Sequence, residues 1–147
     1  MLVLAIDPGP EQSGWCTFDG ARVHACGIAK NAELLKAVRV NLHAADDLAI
    51  EMIASYGMAV GREVFETVLW TGRFQQAWRD PESVRLVYRH EVKIHLCGSL
   101  RAKDANIRQA LIDRFGAPGT KRKPGPLYGV RSHTWSALAV ACVALEA

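Results

Sequence analysis

The chain has 147 residues, of which 50% are hydrophobic and 22% charged, and its formal net charge is +3. This composition is typical of one globular domain, here residues 1–147, with a core of its own. No apolar stretch is long enough to span a bilayer, and Asp7 and Pro8 interrupt the apolar N-terminus, so neither a membrane segment nor a signal peptide is predicted. The four cysteines form no C-x-x-C pair, which favours reduced thiols in a cytoplasmic protein over a zinc site.

Apolar runs and turn signals predict an alternation of strands and helices. The first half is expected to hold three strands, a helix and a fourth strand: Leu2–Asp7, Gly14–Phe18, Arg22–Ile28, Ala32–Leu42 and Leu48–Glu51. The second half is expected to hold a helix, a fifth strand and two helices: Val60–Trp78, Val84–Val87, Lys103–Phe115 and a buried last helix that runs to the C-terminus. The last helix is expected to start near Ser132, which is a good N-cap. The order predicts an α/β fold built on an antiparallel hairpin sheet to which parallel strands are added.

Basic residues are concentrated between Leu100 and Arg131, a segment whose net charge is +6, whereas the remainder of the chain carries −3. Such a segment suggests a polyanionic partner, with nucleic acid as the first candidate. A solvated basic face is the alternative, and charge alone favours it. Part of this segment, Gly116–Gly129, is rich in proline, glycine and lysine and is predicted to be a loop.

Two of the predicted strands end in a carboxylate, Asp7 and Glu51. A buried charge is costly unless it is paired, hydrogen-bonded or bound to a metal. Asp7 also suits the role of capping the turn that follows it, and Glu51 that of a solvated strand end. If the first and fourth strands are neighbours, the two acids meet at one edge of the sheet. Their repulsion there favours a bound cation that prefers oxygen ligands, Mg²⁺ or Mn²⁺.

A third ligand is expected from the start of the last helix. His133 stands in its first turn, and Ser136, three residues on, shares its face. The positive end of the helix dipole disfavours a charged imidazole, which leaves a ring nitrogen able to bind metal. A histidine at such a position is commonly a cap or surface residue, and Asp104 is then the next candidate.

Taken in order, these segments resemble the RuvC Holliday-junction resolvases, which belong to the RNase H-like nucleases. The resemblance covers essentially the whole chain and is closest to the short RuvC-like resolvases of phages and prophages. Three stretches carry it: Leu4-Ala5-Ile6-Asp7-Pro8-Gly9, Leu48-Ala49-Ile50-Glu51 and Ser132-His133-Thr134-Trp135-Ser136-Ala137-Leu138-Ala139-Val140-Ala141.

The resemblance implies a divalent-metal-dependent endonuclease with an RNase H-like mixed five-stranded sheet flanked by helices. Asp7 and Glu51 match the first two metal-binding acids of the family, and His133 and Ser136 match the last two. Histidine is a variant found in the family at the third position, whereas Ser136 removes a carboxylate. The resemblance thus implies Mg²⁺ or Mn²⁺ as the cofactor, held by these four residues, which are also the candidate catalytic residues.

The resemblance also implies where DNA is contacted. In the family, the stretch matching Leu96–Arg108 and the loop before the last helix approach the DNA backbone, and Tyr56 is the candidate for stacking on a base. Met52 and Met58 are expected to pack a loop. The candidate phosphate-binding residues are Arg101, Lys103, Arg108, Lys121, Arg122 and Lys123. Phosphate contacts of this kind position DNA without reading its sequence.

The sequence therefore predicts a cytoplasmic, homodimeric endonuclease of a bacterium, phage or prophage that cleaves four-way junctions in DNA recombination. No membrane and no small-molecule cofactor are expected. Dimerisation follows from the two-fold symmetry of the junction. Two alternatives remain: a less selective nuclease for branched DNA, and a junction-binding protein whose catalysis is weakened by the missing carboxylate. The predicted helix Val60–Trp78 is either the dimer interface or core, through Val64, Phe65, Leu69 and Trp70.

Overall fold

The computed structural model describes Met1–Ala147 and is built around one mixed sheet. The strands are β1 (Val3–Asp7), β2 (Gln12–Phe18), β3 (Val23–Lys30), β4 (Asp47–Met52) and β5 (Arg85–Tyr88). They lie in the order β3-β2-β1-β4-β5. β2 is antiparallel to β1 and β3, β4 is parallel to β1, and β5 is parallel to β4. The predicted hairpin sheet with added parallel strands is confirmed.

Five α-helices accompany the sheet. They are α1 (Asn31–Arg39), α2 (Arg62–Ala77), α3 (Arg89–Cys97), α4 (Asp104–Phe115) and α5 (Thr134–Glu146), with a short 3₁₀ turn at Pro81–Ser83. No helix combines the length and the apolar character that crossing a membrane requires.

The alternation of β1 side chains divides the molecule into two cores. Val3 and Ala5 face the larger core, which holds α5 and the inner sides of α3 and α4. Leu4 and Ile6 face the smaller core, under α1 and α2. Successive strand residues point to opposite faces of a sheet, so a strand covered by helices on both sides is apolar throughout. This explains why the run before Asp7 contains no polar residue.

Helix α5 forms the centre of the larger core. Residues 137–143 are all completely buried, which confirms the expectation drawn from their apolar character. A helix that is apolar all round must be enclosed by other elements, and α5 lies between the sheet and the pair α3 and α4. The first turn of α5 is thereby held against the sheet near the end of β1.

The sequence patterns missed α3 and misplaced the start of α5. In α3 only Val92 is fully buried, so its apolar periodicity is weak. The helix is defined by its ends instead: the backbone N–H of Tyr88 donates to Glu91, and Gly98 terminates the helix with φ +68°. Ser132, predicted as the N-cap of α5, has φ +50° and makes no capping hydrogen bond, so that prediction is wrong.

Helix α2 exposes apolar side chains and buries polar ones. Phe65 and Leu69 are 67% and 57% exposed, whereas Thr67 and Thr71 are buried. The hydroxyl of Thr71 donates to the carbonyl of Thr67, which lets a polar residue be buried within the helix. The core side of the helix is supplied by Phe74. Helix α2 therefore contributes one face to the smaller core and leaves part of its apolar surface exposed.

Candidate functional site

Asp7 and Glu51 lie side by side at one edge of the sheet. Parallel pairing of β1 with β4 places Ile6 opposite Ile50, so the next residue of each strand is the acid. Their side chains are only 12% and 13% exposed. The expectation that the first and fourth strands are neighbours is confirmed, and Glu51 is not a solvated strand end.

The turn after Asp7 is held by other residues. The hydroxyl of Ser13 donates to the side-chain oxygen of Asn31, whose amide nitrogen donates to the carbonyl of Gly9. The backbone N–H of Gly9 in turn donates to Ser13. Since this network closes the turn, the Asp7 carboxylate is free of a capping role.

Burial is the main cause of the unusual electrostatics of the acid pair. It raises the pKa of Asp7, although hydrogen bonds from Glu51 and Ser136 and the charge of Arg89 oppose the shift. Burial, reinforced by the negative charge of Asp7, raises the pKa of Glu51 well above its ordinary value of 4.5. Two buried carboxyls in contact share a proton unless a cation lies beside them. The pair therefore has the property expected of a cation site.

The start of α5 brings two further predicted residues to the pair. Nδ1 of His133 lies 3.0 Å from Oδ2 of Asp7, and the Ser136 hydroxyl is near enough to the same carboxyl to oppose the rise in its pKa. The His133 side chain remains 65% exposed, so one ring nitrogen faces solvent. The four candidate ligands inferred from the sequence thus share one location.

Gly14 permits this approach and was missed by the sequence analysis. It pairs with Asp7 across β1 and β2, and a Cβ at Gly14 would lie 2.6 Å from the carbonyl carbon and oxygen of His133. Any side chain there would push the start of α5 away from Asp7. A glycine within a strand is a signal for such a close approach, so the sequence did contain the necessary clue.

Arg89 is the other residue that sequence reasoning missed. It opens α3 directly after β5, and because β5 is parallel to β4 its side chain reaches the acid pair. Nη1 lies 3.7 Å from Oε1 of Glu51 and 3.5 Å from Oγ of Ser136, while Nη2 is paired with Asp104. The site therefore contains a fixed positive charge in addition to its carboxylates.

Asp104 lies at the outer edge of the site. It is the first residue of α4, its side chain is 90% exposed, and it pairs with Arg89. Its negative charge contributes to the raised pKa of Asp7. Asp104 is thus an electrostatic neighbour of the acid pair, separated from it by the guanidinium.

The chemistry of the donors fits a hard divalent cation. Two carboxylates and an imidazole nitrogen are ligands that Mn²⁺ and, with a preference for oxygen, Mg²⁺ accept. No three His, Cys, Asp or Glu side chains already adopt a metal-binding arrangement. In such a site, the acid pair would supply the oxygen donors and the exposed His133 ring would supply the nitrogen donor.

A groove of about 670 Å³ opens beside the acid pair, between α4 and the start of α5. Arg108 lines it and lies over the ring of Trp135, with 5.1 Å from its Cζ to the ring centre. Stacking of a guanidinium on an aromatic ring restricts the side chain to a defined orientation. Of the predicted phosphate-binding residues, Arg108 alone lines this groove.

The other predicted basic residues lie at the surface outside the groove. Arg101 and Lys103 are exposed between α3 and α4. Lys121, Arg122 and Lys123 are exposed in a loop closed by a bridge between Gly119 and Pro124. None of the five contacts the acid pair.

Tyr56 occupies the loop after β4. Its side chain is 63% exposed, its hydroxyl lies 3.2 Å from Nδ1 of His90, and its φ is +52°. A second groove of about 420 Å³ runs from Tyr56 to Arg89. Met58 is 74% exposed, so the expectation that it packs the loop is wrong.

Solved structures share the architecture that creates this site. The chain matches Thermus thermophilus RuvC in complex with a Holliday junction substrate, with a TM-score of 0.73 and 22% identity over 97% of this chain and 92% of the other. A structure of Thermus thermophilus RuvC matches with a TM-score of 0.70 and 18% identity over the same shares. The chain has the RuvC fold. The expected RNase H-like sheet is thereby confirmed. By sequence, no family model and no curated protein matches.

The raised pKa of Glu51 predicts a pH-dependent stability for the metal-free protein. A carboxyl whose pKa rises on folding contributes stability below its ordinary pKa of 4.5, and this stability is lost as pH rises through the raised value. We therefore expect the melting temperature in EDTA to fall as the pH rises from 4.5 through the raised pKa of Glu51. Mn²⁺ at about 100 times its dissociation constant should restore about 2.7 kcal/mol at neutral pH.

Thermal unfolding of Glu51→Gln and Glu63→Gln tests this expectation. Glu63 lies in the exposed first turn of α2 and serves as the matched control. Glu51→Gln should lose most of the fall in melting temperature with pH and most of the stabilisation by Mn²⁺. Glu63→Gln should keep both. An undiminished decline in Glu51→Gln would assign the effect to another group.

Proposed function

We propose that this protein is a divalent-metal-dependent endodeoxyribonuclease that cleaves Holliday junctions or other branched DNA during recombination. The observation that carries the proposal is the buried pair Asp7 and Glu51, joined by His133, at the sheet edge of a RuvC fold. A buried acid pair beside a groove with basic residues suits the recognition and hydrolysis of a phosphodiester.

The residues have separate roles in this proposal. Asp7 and Glu51 hold the cation, Mg²⁺ or Mn²⁺, and His133 and Ser136 complete its surroundings. When bound, the cation supplies charge stabilisation to the phosphodiester and acidifies a water molecule. In the free protein, the imidazole of His133 orients the Asp7 carboxylate, and the Ser136 hydroxyl accepts from Arg89.

The exposed basic residues supply the DNA-binding surface. The groove beside the acids accommodates the phosphate backbone, with Arg108 as its fixed cation. The flanking loop residues extend the positive surface to either side and neutralise phosphates without reading bases. The exposed ring of Tyr56, at the opposite side of Arg89, is placed to stack on an unpaired base. The further phosphate contacts proposed are Arg101, Lys103, Lys121, Arg122 and Lys123.

The protein is proposed to act as a homodimer through the outer face of α2. Phe65 and Leu69 form an exposed apolar strip there, which another protein surface can cover. A second copy is the occupant that fits the substrate, since a four-way junction has two-fold symmetry and paired cuts need two sites.

A junction-binding protein with weakened catalysis is the second candidate function. Two observations favour it: Ser136 supplies a hydroxyl at the position of the fourth acid, and Arg89 partly neutralises Glu51. Both reduce the negative charge that attracts cations. Cleavage assays separate this candidate from a nuclease, and a panel of branched substrates separates a resolvase from a less selective nuclease.

Asp7→Asn tests the assignment of the acid pair. The substitution preserves shape and removes charge, so we expect cleavage of a synthetic four-way junction to fall at least about 100-fold in Mn²⁺ with binding retained. The assay compares this junction with a three-way junction, a flap and a linear duplex. Asp80→Asn, in the turn after α2, is the control and should cut normally. Normal cleavage by Asp7→Asn would refute the site.

Replacement of Lys121, Arg122 and Lys123 by alanine tests the DNA-binding loop. We expect weaker junction binding and a slope of log K against log salt that is smaller by about three, because each phosphate contact contributes about one. The control removes three exposed charges from the opposite face of the sheet, through alanine at Lys36, Arg39 and Arg73. If the control changes the slope as much as the loop variant, the loop has no special role.

Phe65→Asp with Leu69→Asp tests the dimer. A charge in an apolar interface is unpaired and desolvated, so we expect sedimentation to show monomers where the wild type shows dimers. Val40→Asp is the matched control, because Val40 is 71% exposed at the end of α1. If Val40→Asp dissociates the dimer and the α2 variant does not, the interface lies at α1 and not at α2.

A further inference from the structure

Arg89 places a fixed positive charge beside the acid pair. Its guanidinium bridges Glu51, Ser136 and Asp104, which belong to three separate elements, β4, α5 and α4. Its side chain is 24% exposed, so it is fixed between the acid pair and solvent. It lines both the groove beside α4 and the groove that runs to Tyr56. DNA entering from either side meets this charge.

The contact with Ser136 connects Arg89 to the departure of this chain from the acidic pattern. The fourth acid inferred from the resemblance is replaced by a hydroxyl, and Nη1 of Arg89 lies 3.5 Å from that hydroxyl. A carboxylate at this position would be neutralised by the guanidinium and lost as a metal ligand. A hydroxyl together with a fixed positive charge instead makes this side of the acid pair unfavourable for a divalent cation.

The formal charges point in the same direction. Asp7, Glu51 and Asp104 with Arg89 carry a net charge of −2 when all are ionised. One divalent cation neutralises this charge. A second would leave an excess of two positive charges in a partly buried site, at a considerable electrostatic cost.

We propose that the site binds one divalent cation, on Asp7, Glu51 and His133, and that Arg89 replaces a second cation as the partner of the scissile phosphate. The contact of Arg89 with the phosphate rests on the proposed nuclease function. The number of bound ions does not, because it is a property of the DNA-free protein. A guanidinium presents paired donors that match two phosphate oxygens. Asp104, the most exposed of its present partners, is the one that a phosphate displaces.

Calorimetric titration of the DNA-free protein with Mn²⁺ tests the number of ions. We expect one ion for the wild type, and one ion bound about tenfold more tightly by Arg89→Met, which keeps the side-chain length and removes a nearby positive charge. Ser136→Asp should bind one ion because Arg89 neutralises the added carboxylate. Arg89→Met with Ser136→Asp should bind two. Arg73→Met, on α2 across the sheet, should equal the wild type.

Arg89→Lys supplies a readout that a purely structural role would not change. It keeps the charge and loses the paired donors, so we expect one Mn²⁺ with an affinity within about threefold of wild type and junction cleavage reduced about 100-fold. Circular dichroism establishes that each variant is folded. If Arg89→Met fails to fold, the titrations of wild type, Arg89→Lys and Ser136→Asp still decide the number of ions.

The proposal is wrong if the wild type binds two ions or none. It is also wrong if a folded Arg89→Met binds Mn²⁺ with unchanged affinity. Equal cleavage by Arg89→Lys and wild type would overturn the phosphate contact. The proposed function fails separately, through absence of cleavage by the wild type. A wild type that cuts junctions and binds two ions would keep the function and refute the single-ion site.

Discussion

The parallel pairing of β1 with β4 is the constraint from which the site follows. It forces two strands buried on both faces to end together, and both end in an acid, Asp7 and Glu51. Neither carboxyl can reach full hydration, because helices cover the sheet on each side. Folding therefore carries a local electrostatic cost, which a cation bound between the acids would reduce. A protein with buried charged groups of this kind is often less stable, in the absence of a ligand, than a variant with apolar residues in their place.

The surrounding elements make this cost tolerable in the free protein. His133 contacts Asp7, and Arg89 supplies a positive charge to Glu51. Gly14 lets the start of α5 lie directly on the hairpin. Each contact comes from a different segment, so the site forms only when the whole sheet is assembled. The proposed catalytic groups are thus held by rigid elements and not by a flexible loop.

The strands and the two acids can be predicted from the sequence because their signals are local. Each apolar run stops at a carboxylate, and that pattern is visible without any tertiary structure. Arg89 could not be found in this way, because α3 buries only Val92 completely and its apolar period is weak. The N-cap prediction for Ser132 failed for a related reason. Capping preference describes an isolated helix start and does not include a neighbouring strand, whose Gly14 here lies against residue 133.

Helix α5 is anchored at its far end as well as at the site. Arg85 donates to the carbonyls of Val143 and Ala147, and Glu146 binds both His95 and Arg114. A helix fixed at both ends cannot slide along its axis to adapt to a distorted substrate. Adjustment of the site is therefore confined to side-chain rotation at its rim. If the protein cleaves DNA as proposed, the two acids keep their position and the nucleic acid has to deform to reach them.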